Sequence, residues 1–378
     1  MSSKRQIFVG RVPVGGGAPV AVQTMTKTET ANLEATMEQI EKVAEAGADI
    51  VRVAVPRDKD IEALKQIVKR SPIPIIADIH FNHTLALKAI EAGADCIRLN
   101  PGNIGGPDKV AEVAALANKH NTPMRIGVNS GSLPKHLHAL ERENSVEALV
   151  TAATEFVALM ESLDFTNFKV SIKSTNVPNT IAANRLLSDR IPYPLHLGIT
   201  EAGTKWSGSL KSAVGLGTLL ADDIGDTIRI SLSTFHAEEE VKVAWEILKA
   251  LQLRERGPVL IACPTCGRLQ FDMDAVTAEV EKRLESYDEA IEVVIDRSAL
   301  AREAMLALRE LPQAEEEDYK IIVQVLAERL RPTVNEALAD MPGAEAPSDM
   351  ERKRLARDAA HWVVRKEVQT LREDMFNA

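Results

Sequence analysis

A chain of 378 residues carrying 45 Lys and Arg against 55 Asp and Glu has a formal charge of −10, with 45% hydrophobic and only 4% aromatic residues. That balance fits an acidic globular protein with a sizeable core and excludes a nucleic-acid binder with a broad basic face. The opening MSSKRQIFVG has no apolar run of leader length, and no later stretch reaches the roughly 18 uninterrupted apolar residues of a spanning helix; a cytoplasmic protein without membrane contact is expected.

Short β-branched or apolar runs recur along the chain. They are VAVQTM (20–25), DIVRVAV (49–55), PIIADIH (74–80), CIRLNPG (96–102), MRIGVNS (124–130), FKVSIKS (168–174), LHLGITE (195–201) and TIRISLS (227–233). Between them lie segments of helical period, such as NLEATMEQIEKVAEAGA (32–48) and TLALKAIEAGA (84–94), each ending in an Ala-Gly-Ala that stops a helix before a strand. A further helical stretch, AEEEVKVAWEILKALQL (237–253), follows the eighth strand. Strand then helix, eight times over, predicts an α/β fold of the (β/α)8 TIM-barrel type over residues 1–256.

Composition then changes: 19 of the 20 glycines lie at or before Gly267. Residues 257–378 therefore read as a smaller C-terminal domain, α+β at its start and helical in its charged tail. It opens with GPVLIACPTCGR, continues with a helix near 272–286 and a strand at 290–296, and includes the apolar-striped helix DYKIIVQVLAERL at 318–330.

In TIRISLS a guanidinium sits between two isoleucines. Side chains alternate across a strand, so Ile228 and Ile230 face the helices while Arg229 and Ser231 face the lumen. The same parity turns Arg52, Asp78, His80, Arg98, Asn100, Arg125, Asn129, Lys173 and Thr200 inward, many of them toward the C-terminal strand ends where barrels place their chemistry. Arg52, Arg98, Arg125, Lys173 and Arg229 are cationic against the single inward acid Asp78, with Glu201 at the rim. Buried charge of one sign is costly without a partner, so the excess predicts a multiply charged anion, and phosphate suits guanidinium forks. The loop NPGNIGG (100–106) before a helix offers backbone N–H groups to the same anion.

Of three cysteines, Cys96 opens a barrel strand and reads as core, whereas Cys263 and Cys266 form a C-x-x-C pair. Such a pair suits a metal, part of an iron–sulfur cluster, or a dithiol.

Taken together, PVAVQTMTKT, GADIVRVAVP, IIADIHF, IRLNPGNIGG, RIGVNSGSL, FKVSIKST, PLHLGITEAGT, DIGDTIRISLS and IACPTCGR resemble the 4-hydroxy-3-methylbut-2-enyl diphosphate synthase family from about residue 5 to about 270. The resemblance implies a barrel followed by a small domain carrying a 4Fe-4S cluster, in a homodimer. It implies a cyclic diphosphate substrate, 2-C-methyl-D-erythritol 2,4-cyclodiphosphate, opened and dehydroxylated with electrons from flavodoxin or ferredoxin in non-mevalonate isoprenoid biosynthesis. Carried over by position, Arg52, Arg98, Arg125, Lys173 and Arg229 would bind the diphosphate, with Asn100, Asn129, Thr200 and Ser231 beside them. Asp78 and His80 would line the reacting mouth, and Cys263 and Cys266 would be metal ligands. Past Cys266 the chain departs from the family: IEVVIDRSALAREAM puts Asp296 and Arg297 where the family has the glycine and cysteine of C-V-V-N-G-P-G-E, and no cysteine follows. Two readings stay open, an active reductive synthase and a catalytically impaired diphosphate-binding barrel of the same family. A third, another phosphate-binding barrel similar to the pterin-binding synthases, fits the PGNIGG, RIGVNSGS and GITEAG series less well.

Overall fold

The computed structural model describes residues 3–80, 82–100 and 104–262, with short pieces at 277–278, 280–282 and 292–295. The chain divides into two units, Met1–Arg254 and Glu255–Ala378.

The first unit opens with an antiparallel hairpin, β1 (Gln6–Val9) and β2 (Val12–Gly15). Eight parallel strands follow: β3 (Ala21–Met25), β4 (Ile50–Ala54), β5 (Ile75–Asp78), β6 (Cys96–Leu99), β7 (Met124–Asn129), β8 (Phe168–Lys173), β9 (His196–Leu197) and β10 (Thr227–Ile228). The intervening helices are α1 (Leu33–Glu45), α2 (Asp58–Arg70), α3 (His83–Glu91), α4 (Pro107–His120), α5 (His138–Glu143), α6 (Ser145–Ser162), α7 (Val177–Arg190) and α8 (Lys205–Ala221), with α9 (Ala237–Ala250) after the last strand. The sheet runs β8-β7-β6-β5-β4-β3-β10-β9. Its two ends meet through a parallel bridge between Val170 and Leu195, where Val170 N donates to Pro194 O at 2.8 Å. The predicted (β/α)8 barrel is thereby formed.

Local chemistry explains the strand–helix rhythm. The Ala-Gly-Ala stops form Schellman ends: Gly47, at φ 97°, donates to Ala44 O while Ala48 N reaches Val43 O, and Gly93 and Ala94 repeat the pattern on Ile90 and Ala89. Helices start on side-chain caps, Asn32 accepting from Ala35 N and Asn176 from Asn179 N. The outward strand residues, Val51, Val53, Ile97, Leu99, Ile126, Val170, Leu195 and Leu197 among them, pack against the helices in one large core.

Two features differ from the sequence reading. Strands β9 and β10 are shorter than the runs LHLGITE and TIRISLS: Arg229 N still donates to Leu197 O at 3.0 Å, then the backbone leaves the sheet, so Thr200, Arg229 and Ser231 lie just beyond the strand ends. The hairpin was not anticipated. Its two-residue loop depends on Gly10 at φ 56°, where a Cβ would also meet Pro74 Cγ at 2.9 Å. Ile7, Val9 and Val14 of the hairpin cover Ala21, Ile50, Ile76 and Cys96, the inward residues at the strand beginnings. The hairpin thus seals the N-terminal end of the barrel with apolar side chains.

In the second unit β11 (Val259–Ala262) pairs in parallel with β12 (Glu292–Ile295). Helical backbone at 277–278 and 280–282 falls within the helix expected near 272–286. Cys263, Cys266, Asp296 and the expected helix at 318–330 lie outside the described residues, as do 101–103 of the NPGNIGG loop.

Candidate functional site

The hairpin packs over the N-terminal end of the barrel, which leaves the C-terminal strand ends as the face for a site. The structure brings the sequence-selected polar residues together there. Arg52, Asp78, Arg98, Asn100, Arg125 and Lys173 are buried; Asn129, Thr200, Arg229 and Ser231 are partly buried; His80 is exposed at the mouth.

Asp78 is the hub of the ion pairs. Its Oδ1 accepts from Arg98 Nη1 at 3.1 Å, its Oδ2 lies 3.5 Å from Arg52 Nε, and His80 Nε2 lies 3.4 Å from Oδ2. Arg52 Nη2 also reaches Met25 Sδ at 2.9 Å, and Asn100 Nδ2 donates to Ser132 Oγ at 3.1 Å. Farther in, Arg125 Nη2 donates to Ser171 Oγ at 2.9 Å and Lys169 Nζ to Thr227 Oγ1 at 3.2 Å.

These contacts leave much of the charge unanswered. The Nε atoms of Arg52, Arg98, Arg125 and Arg229, together with Arg125 Nη1, are buried without a hydrogen-bond partner among the described residues. Native interiors rarely leave such donors unmade, so their concentration in one lumen marks a place built for an acceptor.

The protonation equilibria show the same crowding. Burial, then repulsion from Arg52 and Arg98, pushes Arg125 well below the ordinary guanidinium range, and burial with Arg125 and Arg229 does the same to the Lys173 ammonium. Arg52 falls to about 10 through burial, with Asp78 resisting and Arg229 and Arg98 adding to the fall. Asp78 moves oppositely: burial would raise it, but the Arg52 charge, the His80 hydrogen bond and Arg98 hold its carboxyl far below the usual range. A bound polyanion would favour the charged forms of Arg52, Arg125 and Lys173 at once.

Several contributors escaped the charge-based reading. Lys169 is a sixth inward cation, fully buried, with its pKa brought down to about 8 by burial. It shares the phase of Ser171 and Lys173, and that parity was the signal that could have found it. Gln23 and His196 also face inward; the strand parity that turns Thr200 to the lumen turns His196 there too, but neither is charged and neither was selected as a site residue. Two strand glycines make the ring possible: a Cβ at Gly127 would press Arg98 Nε at 3.2 Å, and one at Gly198 would collide with the Lys173 ammonium and meet Arg229 O at 2.9 Å.

Among the described residues no group of three His, Cys, Asp or Glu could hold a metal, and no helix is long and apolar enough to cross a membrane. Cys96 is fully buried beneath the hairpin, where burial raises its thiol to about 11. It is part of the apolar barrel base, packed with Ile7, Val9 and Val14. Two available thiolates, with no cysteine after Cys266, do not fit a cluster held by three cysteines.

Comparison with known proteins places the barrel in a family. The GcpE TIM-barrel domain family matches residues 4–245. A Geobacter sulfurreducens protein named 4-hydroxy-3-methylbut-2-en-1-yl diphosphate synthase (flavodoxin) is 49% identical over 348 residues, covering 86% of this chain and 98% of its own. Proteins of the same name from Idiomarina loihiensis and Maridesulfovibrio salexigens are 52% and 48% identical, over 77% and 80% of this chain and 78% and 86% of theirs. With a family barrel spanning the cationic lumen and about half of the aligned residues shared with these relatives, the chain belongs to the 4-hydroxy-3-methylbut-2-en-1-yl diphosphate synthase (flavodoxin) family.

Proposed function

We propose that this protein is an oxidoreductase of non-mevalonate isoprenoid biosynthesis that takes 2-C-methyl-D-erythritol 2,4-cyclodiphosphate to 4-hydroxy-3-methylbut-2-enyl diphosphate. The observation that carries this reading is the inward surplus of cations, Arg52, Arg98, Arg125, Lys169, Lys173 and Arg229 against Asp78, in a lumen open at one end. A diphosphate matches that surplus, and guanidinium forks give it orientation as well as charge. Asn100, Asn129, Thr200 and Ser231 stand nearer the mouth and would contact the less charged part of the substrate. Asp78 and His80 are the proposed catalytic pair: Asp78 fixes Arg52 and Arg98, and the exposed His80 imidazole is within reach of a ligand at the entrance.

What the chain itself contributes is binding, orientation and exclusion of water. Holding both phosphates fixes the ring carbons relative to the mouth, and such fixation supplies several kcal/mol of a reaction barrier. The family's 4Fe-4S cofactor belongs to the proposal only through Cys263 and Cys266 as metal ligands, since the donor set falls short of three thiolates. Flavodoxin, named in the relatives, is the proposed electron donor, with ferredoxin the alternative. A cytoplasmic homodimer, with a substrate-binding domain at 1–256 and a metal-bearing domain at 257–378, completes the reading.

The test is calorimetric binding of the cyclodiphosphate, followed by turnover with reduced flavodoxin under anaerobic conditions. Arg229→Ala is expected to weaken binding about 100-fold, the loss of a charged hydrogen-bonding partner in a buried site, while the barrel stays folded. Unchanged affinity in that variant refutes the assignment of the lumen. Binding without turnover leaves the lumen assigned and favours the catalytically impaired alternative.

A further inference from the structure

Gln23 and His196 carry no charge, yet they are the most poorly satisfied side chains in the lumen. Gln23 lies on β3 in the inward phase of Ala21 and Met25 and is 1% exposed, and among the described residues neither its amide oxygen nor its amide nitrogen has a hydrogen-bond partner. His196 on β9 is wholly buried, and both ring nitrogens are likewise unpartnered. The two positions flank β10 on either side. Thr227 pairs with His196 and with Ala21, and continuing the β3–β10 register by one residue sets Gln23 beside Arg229. Both therefore stand deeper than Asn129, Thr200 and Ser231.

A methionine at 23 or a leucine at 196 would fill a similar volume without an unmade hydrogen bond, so the fold alone gives no reason for these polar groups. Burial, then the charges on Arg125, Lys173 and Lys169, drives the imidazole well below its ordinary pKa and keeps it neutral. A neutral imidazole retains one N–H donor and one acceptor nitrogen. Another cation here would repel the existing six, whereas an amide and a neutral imidazole add hydrogen bonds without adding charge.

We propose that Gln23 and His196 are ligand-binding residues that donate hydrogen bonds to the inner phosphate of the bound diphosphate, completing from below a site whose charge comes from the arginines and lysines. The proposal rests on the reading of the lumen as a diphosphate site and assigns it two further residues.

Inorganic pyrophosphate is the probe, titrated by calorimetry into the full-length protein and into Gln23→Met, His196→Leu and Arg229→Ala. Thermal midpoints are measured without ligand. Each of the first two variants should weaken pyrophosphate about 10-fold or more, while its ligand-free midpoint stays level or rises because an unmade buried hydrogen bond has been removed. Gln23→Glu, of nearly the same shape, provides a second test: it answers the cations from within and should reduce affinity further than Gln23→Met. Wild-type affinity in Gln23→Met, His196→Leu and Gln23→Glu, with Arg229→Ala impaired, overturns this proposal and leaves the lumen assignment standing. Failure of the wild-type protein to bind pyrophosphate overturns both.

Discussion

Replacing Asp78 by asparagine keeps the shape of the side chain and removes the inward carboxylate that Arg52 and Arg98 share. At 3.1 and 3.5 Å, and an effective dielectric of about 20, each attraction is worth about 5 kcal/mol. Desolvating the three ions offsets several kcal/mol apiece, so the net loss on breaking the arrangement is about 3–5 kcal/mol, much of it the cost of leaving two guanidinium groups uncompensated. Urea unfolding should show this as a lower midpoint with an unchanged slope. The pH dependence has a definite sign. The folded Asp78 carboxyl titrates below its unfolded value of 3.8, so its contribution is fully present above the carboxylate range and is lost as pH falls toward the folded value. The gap between wild type and variant is therefore flat from about pH 5 to 8 and narrows below about pH 4. Saturating pyrophosphate, at about 100 times its Kd, returns about 2.7 kcal/mol to any variant that still binds it. A loss of less than about 1 kcal/mol at pH 7 would refute the view that Asp78 holds these two arginines in place.

Other substitutions test separate parts of the same structure. Lys169→Met should stabilise the ligand-free protein by up to about 3 kcal/mol at pH 7, because the buried ammonium titrates at about 8 rather than 10.5. The folded state sheds that proton first, so wild-type stability rises between these values and the variant's advantage shrinks toward pH 10.5; an advantage that grows with pH would contradict the assignment. Gly198→Ala drives a methyl group against the Lys173 ammonium and the Arg229 carbonyl, and should cost about 1–3 kcal/mol of stability together with pyrophosphate affinity; wild-type calorimetry would show that the crossing of Lys173 over this strand is not needed. Cys96→Ser should leave iron content after anaerobic reconstitution at the wild-type level, whatever that level is, and a change in Cys96→Ser would contradict burial at the barrel base.

The barrel was legible because period-two alternation and Ala-Gly-Ala helix stops are local signals that survive without tertiary context. Arg229 was legible for the same reason: once Ile228 and Ile230 are assigned to the helix side, its direction follows. The hairpin escaped because QIFV and VPVG are only four residues each, and what decides them is the open base of the barrel they cover. The early ends of β9 and β10 escaped because LHLGITE and TIRISLS keep a strand pattern past the point where the backbone leaves the sheet. Gln23, Lys169 and His196 share the inward phase of residues that were selected, and parity alone turns them to the lumen; what it does not supply is a reason to single out neutral or deep groups as ligand-binding.

The lumen trades stability for readiness to bind. Six cations and two unsatisfied neutral groups face one another in a cavity that Asp78 only partly answers, and the barrel tolerates this because its outward faces bury one continuous apolar core while the hairpin closes its base. Gly127 and Gly198 show how closely the arrangement is set: a Cβ at 198 would collide with the Lys173 ammonium, and one at 127 would press on Arg98 Nε at 3.2 Å. A flexible surface patch of the same charge would collapse onto nearby carboxylates, but strands fixed by the ladder cannot, so the unmade hydrogen bonds persist until a ligand makes them. On the proposed reading, the affinity of this site for a diphosphate is the counterpart of the instability of the ligand-free lumen. Substitutions that relieve that instability without supplying an anion, Lys169→Met and Gln23→Met among them, should hold or raise the melting temperature as they weaken binding.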